Sequence, residues 1–365
     1  TTTITTRRCC WAWMLHLFFQ KRTRPSFFVN MKHTIPFEDI QYAYERAKSG
    51  KSKRPEIQLR NADLEKNMHQ LHQDICTWTY TIWRSRRYIV RDPVIREIVV
   101  IPFRDRIVQH LVSFCLTPIF ESQRIYDSYA NRIGKGTLFG IRRMDHHLRS
   151  VSQNYTRDAR ILKCDIQSCF MSLSRHMIRE FVTRRIGSIQ TKREKWVVLF
   201  LVKTIVFHDY VAWRKDCTSS VLRKKLPIKK SMLHCVPWCW LPLWNLTSHL
   251  FANIVLHELD VFVKHELAIK GYGRYVDDFV CIHHDHNYLK TCISRIACFL
   301  KEHLSLSLHP KKIYFQPMRH GVLFLGVYIK PHCRLIGKRT IHASTTLVTH
   351  SPRDHSVASW KHFAQ

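Results

Sequence analysis

The stretch "GYGRYVDDFVCIHH" (Gly271–His284) sets two adjacent acids, Asp277 and Asp278, in apolar and aromatic surroundings. The flanks read as strands, Arg274-Tyr275-Val276 before the pair and Phe279-Val280-Cys281-Ile282 after it. Between them the aspartates fall at a tight hairpin turn, where Asp is at home. A turn alone would account for such a pair, but this chain is poor in acids: 27 acidic residues stand against 59 basic ones. The resulting formal charge of +32 repels itself and suits a polyanion such as nucleic acid, the more so with aromatics interleaved along the chain. A generally basic soluble protein or a membrane-surface binder would give the same sum.

With 365 residues and 45% hydrophobic content, the chain has the means to bury a large core and is no disordered basic tail. No apolar run approaches the roughly 20 residues of a membrane span, and "WAWMLHLFF" (Trp11–Phe19) after Arg7-Arg8 lacks the small-residue cleavage site of a signal peptide. The 13 cysteines, odd in number and irregularly spaced, fit reduced thiols in a cytoplasmic setting better than a disulfide framework. "HCVPWC" (His234–Cys239) has no second ligand pair at zinc-finger spacing. Only 10 glycines are present, below half the usual fraction of about 7%, beside 10 tryptophans. Residues 1–30 have a biased composition without periodicity and are expected to be a non-native or disordered extension, Met31 reading as a more natural start.

Periodicity predicts helices over Pro36–Lys48, Ala62 to about Thr79, Arg104–Phe120, Ser174–Arg185, Lys192–Phe207, from near Ser248, and Tyr288–Leu304. Strands are predicted at Tyr88–Val90 and Glu97–Ile101 around the turn Asp92-Pro93, in Arg160–Phe170 ending near Asp165, and at the Asp-Asp hairpin. Two short strands are expected in "KKIYFQPMRHGVLFLGVYIKP". Strands separated by helices, with hairpins, suggest an α+β sheet covered on one side. If the strand ending at Asp165 neighbours the hairpin, three carboxylates converge in a strongly basic protein, a pocket strained unless cations occupy it. Hard cations such as Mg²⁺ take one or two carboxylates plus substrate phosphates, and a pair of them supports phosphoryl transfer.

Six segments, in order from about Phe37 to Thr340, resemble reverse transcriptases, most closely those of diversity-generating retroelements. "YVDDF" (Tyr275–Phe279) resembles the Tyr-x-Asp-Asp catalytic hairpin and "LKCDIQSCF" the first catalytic-aspartate strand. "NLTSHLFANIVLHELDVFVKHEL" is similar to the Asn-Leu-Thr-Ser-Gln segment and its helix. "REIVVIPFRDRIVQH" and "NRIGKGTLFGI" resemble fingers motifs, and "LHPKKIYF…FLGVYIKP" the end of the palm.

The resemblance implies an α+β right-hand polymerase: fingers and N-terminal helices over 31–155, a palm of antiparallel sheet packed on helices over 156–330, and a short or degenerate thumb over 331–365. Asp165, Asp277 and Asp278 would be catalytic, ligating two Mg²⁺ ions (or Mn²⁺) with the Ile166 carbonyl, and Asp278 would be the supporting member. Phe170 falls where an aromatic gate excludes a ribose 2′-OH. Arg91, Arg96, Arg132, Asn245, His249 and Lys312 would face the nucleotide, with either Lys311 or Lys312 as proton donor to pyrophosphate. Lys135 would contact template, and Phe324-Leu325-Gly326 would grip the primer end. Leu243 replaces the glutamine that checks the nascent pair in many reverse transcriptases, which implies low fidelity. The implied partners are template RNA, primer, deoxynucleotides and a small basic accessory protein, with no membrane.

The pattern departs from the family at Trp238, Trp240 and Trp244, where glycine is expected, and at His249, where glutamine is. Bulky residues take a positive φ poorly. These departures keep two alternatives open: a catalytically impaired RNA-binding protein of the same fold, or a retron or group II intron type of enzyme.

Overall fold

The computed structural model describes residues 35–50, 63–91, 95–188, 192–212, 214–218, 220–228, 231–236, 238–243 and 245–337. All of these belong to one unit, Thr34–Gln365. The N-terminal extension, the Asp92-Pro93 turn, Trp244 and the end of the expected thumb lie outside the described residues.

Helices α1 (Phe37–Lys48) and α2 (Leu64–Cys76) bury one stripe each, Ile40, Ala43, Tyr44 and Ala47 on the first and Met68, Leu71 and Ile75 on the second. They lead into β1 (Ser85–Val90), which pairs antiparallel with β2 (Arg96–Val100). Helices α3 (Phe103–Gln123) and α4 (Thr137–Val151) follow, then β3 (Arg160–Asp165), α5 (Arg175–Arg185) and α6 (Lys192–Phe207). Strand β4 (Arg214–Asp216) returns to lie parallel to β1. Helix α7 (Leu246–Val261) is buried on nearly every side and runs on into a π turn, Phe262–Glu266. The remainder is β5 (Gly271–Tyr275), β6 (Asp278–His283), α8 (His286–Leu304), β7 (Tyr314–Pro317), β8 (Val322–Phe324), β9 (Val327–Lys330) and β10 (Cys333–Ile336).

The central sheet has the order β5-β6-β3-β7, with every pair antiparallel. Contrary to the one-sided sheet read from the sequence, both of its faces are covered. Ile161, Val280 and Ile282 pack with Ile141, Met144 and Leu148 of α4. Leu162, Cys164, Phe279 and Cys281 join the larger core with Leu289, Cys292 and Ile296 of α8. The apolar run Phe279-Val280-Cys281-Ile282 in β6, with Ile161 and Leu162 on opposite faces of β3, is what two covered faces require.

The region after Lys311 forms three strands where two were expected, because Met318–His320 makes a turn that separates β7 from β8. Strand β10 then pairs with β9, so the boundary drawn at residue 330 falls inside a hairpin.

Candidate functional site

Asp165 is the last residue of β3 and pairs in register with Asp278, the first residue of β6. The Ile166 amide donates to the Asp277 carbonyl at 3.0 Å, and the His309 amide donates to the Asp165 carbonyl at 2.8 Å. Three chain segments, remote in sequence, are thus tied at one end of the sheet. Beside them opens a cavity of about 570 Å³ lined by Asp165, Ile166, Asp277, Arg96, Phe170, Leu243, His249, His309 and Lys312, among others.

The charges in this cavity are coupled. Burial, with the Asp165 carboxylate next to it, pushes Asp277 up to about 6, while Lys312 and Arg96 act the other way. Lys312 Nζ lies 2.8 Å from Asp165 Oδ2. Lys312 lines the cavity and Lys311 does not. Asp278 points elsewhere: its Oδ2 is 3.0 Å from Lys163 Nζ, and its Oδ1 is buried without a partner. Burial also raises it to about 6, with Lys163 opposing.

The apolar wall is Phe170, its ring edge-to-face with His249 at 5.1 Å. His249 Nδ1 is buried without a hydrogen-bond partner, and burial lowers its pKa. Asn245 is 7% exposed and its amide nitrogen also lacks a partner, but it does not line the cavity.

Six further expected contact residues do not line the cavity. The Arg132 guanidinium is 5% exposed and is consumed by Glu121 and by the carbonyls of Ile125 and Ser128. It therefore braces its own glycine loop instead of facing a phosphate. Lys135 donates to the Tyr126 carbonyl at 2.6 Å and sits over that ring at 4.2 Å. Arg91 is exposed just past the end of β1. Phe324 is fully buried in the core beneath α4, whereas Leu325 and Gly326 make the β8–β9 turn with φ of 52° and 83°.

Among the non-glycine residues with positive φ, two bear on the site: Val276 with φ of 56° and Trp240 with φ of 99°, both in the region that bulky residues avoid. Trp240 is one of the expected glycine positions; it is 3% exposed and its indole nitrogen lacks a partner. Trp238 by contrast is 58% exposed.

Sequence reading missed His309, Lys163 and the Arg274–Asp260 pair. A signal for the last was present, since Asp260 is an acid set between the apolar Leu259 and Val261 of α7.

Two facing carboxylates supply hard oxygen donors of the kind Mg²⁺ takes. Among the described residues no group of three His, Cys, Asp or Glu could hold a metal. Asp165 and Asp277 alone would leave most of a cation's coordination shell to other ligands. No helix among the described residues is long and apolar enough to cross a membrane.

No family model and no curated protein matches the chain. Solved structures similar to it include telomerase from Candida albicans in complex with a fragment of telomeric RNA, at 10% identity and a TM-score of 0.47, covering 72% of this chain and 47% of that one. Another is apo telomerase from Candida tropicalis truncated from its C-terminal domain, at 11% identity and a TM-score of 0.49, covering 69% and 54%. The chain thus spans about half the length of these telomerases. At such TM-scores the likeness does not define a shared fold.

Proposed function

We propose that the chain is an RNA-directed DNA polymerase of the diversity-generating retroelement type, built as fingers and palm and copying a template RNA into cDNA with low fidelity. The observation that carries this reading is the meeting of Asp165 and Asp277, joined through the Ile166 amide, in a cavity with two cations and an aromatic wall. Within it, Asp165 and Asp277 would hold the metal, and Arg96 would neutralise incoming phosphates. Lys312, already hydrogen-bonded to Asp165, is placed to hold a proton near the leaving group. Phe170 would sit against the sugar, and Leu243, which offers no polar atom, would leave the nascent pair unchecked. Bound Mg²⁺ supplies Lewis-acid stabilisation of the attacking and leaving oxygens. The basic surface would hold RNA through phosphate contacts.

Trp240 favours a second reading, an RNA-binding protein of this fold with impaired chemistry, because a strained indole stands on the segment that leads to the cavity wall at Leu243. Primed RNA, Mg²⁺ and the four deoxynucleotides, with and without any small basic protein encoded nearby, separate the two. Template-directed lengthening of the primer supports the polymerase. Salt-sensitive RNA binding without lengthening supports the second reading, and absence of both overturns each.

A further inference from the structure

Arg274 lies in β5, two residues before Val276 at the hairpin turn, and is among the largest fully buried side chains of the described structure. Its guanidinium meets Asp260 of α7 through two contacts of 2.6 Å, from Nε to Oδ1 and from Nη2 to Oδ2. Nη1 donates to Asn253 Oδ1 at 3.0 Å and to the Val276 carbonyl at 2.9 Å, and Nη2 reaches Ser128 Oγ at 3.4 Å. Asp260 also accepts from the Tyr272 hydroxyl at 2.8 Å.

A buried ion pair is a weak stabiliser, since apolar residues of the same volume often serve as well. What an apolar pair cannot supply is a donor to the Val276 peptide. That peptide needs one, because Val276 is β-branched and has φ of 56°. The next carbonyl, that of Asp277, is already held by the Ile166 amide. Arg274 therefore fixes the hairpin from beneath while β3 fixes it from the side.

We propose that Arg274, locked in place by Asp260, is a positioning residue that holds the Val276 turn in its left-handed form and so aims the Asp277 carboxylate toward Asp165. This deepens the reading of the site given above and rests on it for the purpose of the alignment.

The test uses the full chain with Arg274→Lys, which keeps a charge opposite Asp260 and loses the fork that reaches Val276. Leu71→Ala, remote in α2, is the control for simple loss of stability. Two readouts are taken: binding of MnCl₂ followed by electron paramagnetic resonance, and amide exchange of the peptide containing Val276–Asp278. Arg274→Lys should weaken Mn²⁺ by about tenfold or more and speed exchange at the hairpin, whereas Leu71→Ala should do neither. Adding Val276→Gly, which accepts the turn without strain, should shrink both effects of Arg274→Lys. Should Arg274→Lys fail to fold, the neutral pair Arg274→Gln with Asp260→Asn takes its place. Unchanged Mn²⁺ affinity and unchanged hairpin exchange in a variant that melts earlier would overturn the proposal, as would equal effects from Leu71→Ala. If the unaltered chain binds no Mn²⁺ with or without a deoxynucleoside triphosphate present, the metal-site reading fails, and hairpin exchange alone still decides the role of Arg274.

Discussion

The amide of Ile166 and the carbonyl of Asp277 are hydrogen-bonded at 3.0 Å, one residue beyond the end of β3 and at the tip of the β5–β6 hairpin. With the β3–β6 ladder, that contact brings two motifs far apart in the chain into one site. The Asp165 and Asp277 carboxylates line the same cavity. The raised pKa of Asp277 is the electrostatic trace of that arrangement, since burial and a like charge both disfavour its ionised form.

Phe170 is expected to set the choice of sugar. It is 9% exposed, braced edge-to-face by His249, and lines the cavity. Phe170→Ala should raise incorporation of ribonucleotides relative to deoxynucleotides by about tenfold or more, because steric exclusion is removed while phosphate contacts remain. Competition of the two nucleotide types in single-nucleotide extension measures this. An unchanged ratio would return Phe170 to plain core packing.

Trp240 gives a backbone prediction. Truncating a buried tryptophan to alanine usually costs about 3–5 kcal/mol, and glycine is usually worse still. Here φ is 99°, which glycine tolerates and alanine does not. Trp240→Gly should therefore be more stable than Trp240→Ala by about 1 kcal/mol in urea unfolding, an inversion of the normal order. The normal order would show that the turn relaxes when the indole leaves.

Acid sensitivity should come in part from His257. Burial first, then the Arg185, Arg274 and Arg124 charges, lower its pKa to about 4, with Asp260 opposing. The unfolded chain takes up a proton near pH 6.5 and the folded chain does not until about 4, so stability falls as pH drops through that interval. The loss for this one group is at most about 3 kcal/mol. His257→Met should flatten stability between pH 6.5 and 4 in denaturant titrations. An identical slope in the variant would place the acid sensitivity elsewhere, His208 being the next group lowered to about 4 by burial.

Much of this was legible in the sequence, for reasons that differ from element to element. Helices α1 and α8 declared themselves through apolar spacing, and the hairpin through two short apolar runs around Asp277-Asp278. The second covered face of the sheet was hidden, because the apolar run Phe279-Val280-Cys281-Ile282 of β6 looks the same whether one helix layer or two lie against it. For Arg132 and Lys135 the resemblance implies nucleotide and template contacts. Nothing local reveals that the first is spent on Glu121 and two carbonyls. Arg274 escaped notice for the opposite reason. In a chain with so many basic residues, one more in β5 is unremarked until its partner Asp260 is seen buried at the last turn of α7.

The central claim is most directly tested by the rate of primer extension on an RNA template for the unaltered chain and for Asp165→Asn, Asp277→Asn and Asp278→Asn. Loss of a metal-holding carboxylate should remove several kcal/mol of transition-state stabilisation, so Asp165→Asn and Asp277→Asn should slow extension by roughly 10³-fold or more. Asp278→Asn, whose side chain is turned toward Lys163, should cost clearly less. Extension that survives Asp277→Asn at the original rate would contradict the account.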